Sequence, residues 1–279
     1  MIDRLVSITE LEAAGRTHED QLDIGTVALT LAAVAKPEAH QEPYRRHLKK
    51  LSAEVAAYVG GYHGPVPLSL RHEALIQVIH KRYGYVGTDD CFDDIEAANL
   101  MRVIDQRRGL PVAIGILYLH AARHVGWSAA GVDFPGRFLL RLDSDDGRII
   151  FDAFEGGTTL TAPDLRRALK AMEGPTAELD PVHYRKASSR DVLLRLQNNI
   201  KVRQLGAQQP NAALKTLGTM VALAPNHAGL WREMGVLHTR LNQIPAAIAA
   251  LEECLRCGVS EPIRYQTSAL LQELRSRLH

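Results

Sequence analysis

Cys91 is the one thiol in the first two thirds of the chain, and it sits in Thr88-Asp89-Asp90-Cys91-Phe92-Asp93-Asp94. A cysteine attacks as the thiolate, and the four neighbouring carboxylates disfavour that charge by like-charge repulsion. The residues alone read Cys91 as an inert, buried or half-buried thiol. The acidic run reads as a helix cap from Asp93 or Asp94, because it lacks the glycine and spaced acid of a calcium loop. Cys254-Leu255-Arg256-Cys257 is a CxxC with no second pair to complete a structural metal site. His120 and His124 stand four apart and share a helix face, but Ala121 replaces the glutamate of a metalloprotease motif, so they read as structural or surface histidines. No glycine-rich nucleotide loop is present. These spacings call for no metal and no cofactor.

The elements that would carry these residues follow from the apolar periodicity. Ile24–Ala35 is apolar on most faces and stops at Lys36-Pro37. Glu42–Val59 carries Tyr44, Leu48, Leu51, Val55 and Tyr58 at steps of three and four, one stripe of a helix. Ser69–Tyr83 predicts a helix with Leu70, Ala74, Leu75, Val78 and Ile79 inward, and Asp93–Arg107 another with Ile95, Leu100, Val103 and Ile104 buried. Leu110–Val125 restarts after Gly109 with Pro111 in the first turn, and its apolar residues cover most faces, which predicts a central helix. Ala129–Phe134, Arg137–Leu142 and Arg148–Phe151 are short strands. Ser144-Asp145-Asp146-Gly147 joins the last two as a hairpin. A short helix follows around Ala162–Met172, and Gly174-Pro175 and Asp180-Pro181 mark a linker.

Beyond Ser189 the strand signal disappears and an internal repeat begins. A shift of 34 residues lays Ala212-Ala213-Leu214 on Ala246-Ala247-Ile248 and Leu217 on Leu251, and 34 is the tetratricopeptide period. Trp231-x-x-Met234-Gly235-x-x-His238 resembles the start of that repeat, with His238 for the usual aromatic. Repeats are expected at 194–227 and 228–261, with a capping helix over 261–278. The expected domains are residues 1–180 and 189–279.

The order of motifs in the middle of the chain carries a resemblance. Asn99-Leu100-Met101-Arg102-Val103-Ile104-Asp105-Gln106-Arg107-Arg108-Gly109-Leu110-Pro111 precedes the apolar helix. Phe134-Pro135-Gly136-Arg137-Phe138-Leu139 and Phe151-Asp152-Ala153-Phe154-Glu155-Gly156-Gly157 follow it. This resembles the bacterial transglutaminase-like family with C-terminal tetratricopeptide repeats, whose members are often labelled regulators of sirC expression. The resemblance implies an α+β fold, predominantly α: a transglutaminase-like, papain-like core with a small antiparallel sheet, then a helical repeat domain.

In active relatives of that superfamily a cysteine opens the central helix, and a histidine and an aspartate lie on following strands. A helix N-terminus and an imidazolium favour the thiolate, and the carboxylate orients the imidazole. The matching positions here are Pro111, Arg137 and Asp152. Proline has no nucleophile, and a guanidinium stays protonated and cannot act as general base. Arg137 and Asp152 are open to two readings: an ion pair bracing two strands, or a clamp whose spare donors hold a carboxylate or phosphate. Arg107 and Arg108 carry the same ambiguity, against capping of carbonyls or pairing with Asp105.

Charge excludes some partners. Lys and Arg number 33 against 32 Asp and Glu, a net charge of +1, which speaks against nucleic acid and anionic membranes. The first sixteen residues do not read as a signal peptide and no apolar run has the length of a membrane span, so a cytoplasmic protein is expected. Two functions compete. One is a non-catalytic, regulatory binding protein for another protein, a peptide or a small ligand, whose repeat groove would present Asn198, Lys201, Arg232 and Arg240 to an acidic segment. The other is a cysteine-dependent amidase, peptidase or acyltransferase in which Cys91, His72 or His124, and Asp152 converge.

Overall fold

The computed structural model describes residues 2–277. The chain divides into two compact units, and the division falls inside a helix, between Leu196 and Gln197. Residues 8–17 group with the second unit. Both points differ from the expected split at the Gly174–Pro181 linker. The helix α1 (Ile2–Arg16) carries Leu11, which is fully buried, and Gly15, where a Cβ would lie 2.2 Å from the Ala222 carbonyl oxygen.

In the first unit, Asp23 caps α2 (Ile24–Ala35) by accepting from the Thr26 N–H. Almost the whole of α2 is buried, as its all-round apolarity requires. The helix α3 (Glu42–Val59) buries Leu48, Leu51 and Val55 on one stripe. The segment expected as one helix over 69–83 is α4 (Leu68–Leu75) running directly into a π-helical stretch, Ile76–Arg82. Wider i→i+5 turns of this kind are uncommon in helices. The helix expected over 93–107 is interrupted. Asp94 caps a 3-10 turn at Ile95–Ala98, and Asn99 then caps the separate α5 (Leu100–Gln106) by accepting from the Met101 and Arg102 N–H groups. A side-chain acceptor inside the run competes with the helix ladder and restarts it. Ile95 is consequently only half-buried.

The helix α6 (Pro111–His124) is the centre of this unit, and every residue from 112 to 122 is buried. It lies on a five-stranded antiparallel sheet of order β4-β3-β2-β1-β5: β1 (Ser128–Phe134), β2 (Arg137–Ser144), β3 (Gly147–Asp152), β4 (Thr158–Thr159) and β5 (Lys186–Ala187). Gly115 makes the close approach possible, since a Cβ there would sit 2.6 Å from the Phe138 ring. The β2–β3 hairpin turns at 144–147, as the turn residues predict. The strand β5 was not legible, because two residues carry no alternation. The helix α7 (Ala162–Glu173) opens with a Thr161–Asp164 capping box. Its Leu165 and Leu169 pack on Val132, Phe134, Leu139 and Ile150 of the sheet.

The second unit is helical: the C-terminal part of α8 (Ser189–Gly206), α9 (Pro210–Leu223), α10 (Ala228–Arg240), α11 (Ile244–Arg256) and α12 (Glu261–Ser276). The repeat signature works through contact. At Gly235 an added Cβ would lie 2.6 Å from Leu251, and Ala247 is fully buried, so small residues let α10 and α11 approach. The Trp231 indole N–H donates to the Pro225 carbonyl at 2.7 Å, and Ile244, Ala247 and Leu251 pack with Leu271 and Leu274 of α12. Among the described residues, no helix is long and apolar enough to cross a membrane.

Candidate functional site

Pro111 occupies N1 of α6, where its missing N–H costs nothing, and Leu110 before it is extended. The residue that the resemblance sets at the nucleophile position therefore starts the central helix. Arg137 opens β2 and Asp152 closes β3. The antiparallel register puts both at the end of the hairpin opposite its turn, so they meet. Arg137 Nη1 lies 3.3 Å from Asp152 Oδ2 and 3.0 Å from Glu155 Oε1.

Asp152 is buried, and its other oxygen accepts the Phe154 N–H at 2.9 Å and the Glu155 N–H at 3.4 Å. Burial raises its carboxyl above the usual range, against the opposing pull of the Phe154 N–H and Arg137. The carboxylate thus organises the 153–157 turn, and the guanidinium closes over it. Gly156 and Gly157 serve the same turn with positive φ, and a Cβ at Gly156 would meet the His80 ring at 2.9 Å.

Among the described residues, Cys91, His72, His124 and Asp152 share no hydrogen bond with one another. Cys91 is buried in a 3-10 turn with its Sγ 3.2 Å from Thr88 Oγ1. His72 Nε2 donates to the Gly157 carbonyl at 2.9 Å, its ring packs edge-on against Phe151, and burial lowers its pKa. His124 belongs to a different cluster, described below.

Arg107 takes the left-handed conformation that ends α5, with φ 61°. Its guanidinium does not pair with Asp105, which instead accepts from the Tyr44 hydroxyl at 2.9 Å. It stacks on the Tyr85 and Tyr83 rings at 4.8 and 5.6 Å and donates to the Tyr85 hydroxyl. It also donates to His47 Nε2 at 3.0 Å. Its donors are directed at His47 of α3 and at Tyr85, just beyond the π-helical segment. Arg108 is exposed, and its backbone bridges Val86.

Of the expected groove residues, Lys201 is buried and ion-paired with Glu233 at 2.6 Å, so it presents no free charge. Arg232 donates to Gln266 at 3.1 Å. Asn198 and Arg240 are exposed.

A third constellation was not foreseen. His120 and His124 share one face at the end of α6, and α2 delivers Asp23 to that face. His120 Nδ1 lies 3.2 Å from Asp23 Oδ1, and His124 Nε2 lies 3.4 Å from Asp23 Oδ2. The imidazole rings are 3.9 Å apart between centroids. Gly25 makes room: a Cβ there would be 2.4 Å from His120 Nδ1. His124 Nδ1 donates to the His120 carbonyl at 2.9 Å, which fixes the ring with Nε2 directed toward Asp23. The histidine pair was legible in sequence, but Asp23 lies 97 residues away from His120. Its only local signal is that of a helix cap. The three line a cleft of about 520 Å³ with Glu19, Arg123, Lys186 and Ser189.

Comparison with known proteins agrees with this architecture. Residues 42–198 match the model of the transglutaminase-like superfamily, and residues 200–275 match that of the tetratricopeptide repeat. A UPF0162 protein of Pseudomonas aeruginosa is 30% identical over 74% of this chain and 77% of its own length. One of Vibrio cholerae is 24% identical over 93% and 97%. Protein SirB1 of Salmonella typhimurium is 24% identical over 71% and 75%. With a central helix laid on an antiparallel sheet, a helical repeat unit after it and these relatives over most of its length, the chain belongs to the UPF0162 family of the transglutaminase-like superfamily.

Proposed function

We propose that the protein is a non-catalytic member of its superfamily, a pseudoenzyme of the cytoplasm that binds another protein or a peptide. The observation that carries this reading is the pair Arg137–Asp152. The residue in the general-base position is a permanently charged guanidinium committed to two carboxylates, and the nucleophile position is a proline at N1 of α6. A site that can neither form a thiolate nor move a proton has no route to acyl transfer. The tetratricopeptide region supports the binding role, since such helical arrays offer extended surfaces to partner segments. The described part of α12 contributes exposed apolar side chains there, Ile263 and Tyr265. Asn198, Arg232 and Arg240 supply polar contacts. Arg107 and Arg108 are not needed in this reading.

The test is an assay for ammonia release and amine incorporation on glutamine peptides, and for amide and ester hydrolysis. The full chain is compared with a C91S variant. The expected outcome is no turnover above the uncatalysed rate for either. Turnover abolished by C91S overturns the reading and favours a displaced cysteine centre.

A further inference from the structure

The Asp23–His120–His124 cluster lies apart from the transglutaminase-like positions. Pro111 opens α6 and the histidines close it, so roughly 14–20 Å of helix separates them. The donor set has a definite chemical character: two imidazoles and one carboxylate. Its donor atoms, one from each residue, all lie within 4.8 Å of one another. A tetrahedral ion with bonds of about 2.0–2.1 Å spaces its ligands about 3.4 Å apart. The two measured Asp23 edges, 3.2 and 3.4 Å, match that spacing.

Most charged groups around the cleft have hydrogen-bond or ion-pair partners outside the cluster. Glu19 is engaged with the Ser189 N–H and Arg190, and Asp20 with His18. Arg123 donates to the Ala129 carbonyl and the Ser189 hydroxyl, and Lys186 pairs with Asp143. Asp23 faces the two imidazoles and its capped N–H, with the Arg123 charge acting on it across the cleft. The two imidazole rings lie 3.9 Å apart between centroids and are tilted by 39° to one another. Both histidines also sit in the last turns of α6, the carbonyl end of a helix, which attracts positive charge. His124 Nδ1 is fixed by the His120 carbonyl, the type of outer hydrogen bond that orients a ligating imidazole.

We propose that Asp23, His120 and His124 bind one divalent transition-metal ion of the zinc class, with at least one coordination position open to the cleft. Two imidazoles discriminate against calcium and magnesium, which take oxygen ligands. Three protein donors leave room for a water or an oxygen of a small ligand, because a tetrahedral ion has a fourth position to fill.

The test uses the full chain, stripped with EDTA and titrated with Co²⁺ and then Zn²⁺. One Co²⁺ per chain is expected, with visible d–d absorption that Zn²⁺ displaces, and Zn²⁺ is expected to raise the melting temperature. H124A and D23N should each weaken Co²⁺ binding at least about 100-fold, since loss of a direct ligand exceeds the cost of losing an outer partner. They should also abolish the Zn²⁺-dependent rise in melting temperature. These two variants are chosen because His124 is half-exposed and asparagine also caps helices, so both retain the fold. Undiminished binding in both variants overturns the proposal. So does a thiolate charge-transfer band that disappears in C254S/C257S, or no binding by the parent at micromolar metal, which leaves the cluster as an Asp–His ion pair.

Discussion

The Arg137 guanidinium lies 3.3 Å from the Asp152 carboxylate, across the open end of the β2–β3 hairpin. The buried acid does structural work. It holds the 153–157 turn through two backbone N–H groups, and the cation neutralises it.

That division of labour predicts unequal costs. Arg137 is 41% exposed, so R137A should destabilise the protein by about 1 kcal/mol. D152A removes a buried acceptor and leaves backbone N–H groups unpaired, which should cost about 2–3 kcal/mol. Urea denaturation measures both, and equal losses would contradict the assignment of the turn to Asp152.

Lys201 and Glu233 predict a structural, not a ligand-binding, phenotype. The lysine side chain is 6% exposed and its partner 39%. E233Q strands the buried ammonium and should cost about 2 kcal/mol, whereas K201M with E233L should recover most of that loss. A double-mutant cycle in urea reads the difference. A stability unchanged by E233Q would return Lys201 to the groove.

Two glycines in the repeat region should respond in opposite directions. G235A drives a Cβ to 2.6 Å from Leu251 and should destabilise by about 1–3 kcal/mol. Gly218 lies in α9 with nothing within 4 Å of the built Cβ, so G218A should stabilise by about 0.5–1 kcal/mol through helix propensity. Thermal melts of the two variants give the sign directly.

His47 predicts an acid-sensitive fold. Burial, then the Arg107 and Lys50 charges, push its imidazole down to about 4 from 6.5. Between those values the unfolded chain takes up a proton that the folded chain refuses, so stability falls as pH drops through that window. The excess loss should be about 1 kcal/mol after solvent screening, roughly 2–4 °C. H47Q should flatten the melting curve against pH between 6.5 and 4, and an unaltered slope would assign the loss to other groups.

The sequence by itself determined most helix faces, the hairpin and the 34-residue repeat. Each of these is written in neighbours a few residues apart or in a motif read in order. Breaks inside apparently continuous helices were harder: the capping acceptor of Asn99 and the π turn after Leu75 change the backbone without changing the apolar pattern. Only the tertiary structure decided that residues 8–17 join the second unit, and that Arg107 is spent on two tyrosines and His47. It alone decided that Lys201 is buried against Glu233, and that Asp23 meets His120 and His124. These are pairings of single side chains across tens of residues. They leave no period in the sequence, because each depends on where two packed helices happen to bring one polar group, and packing is driven by the apolar faces on either side of it.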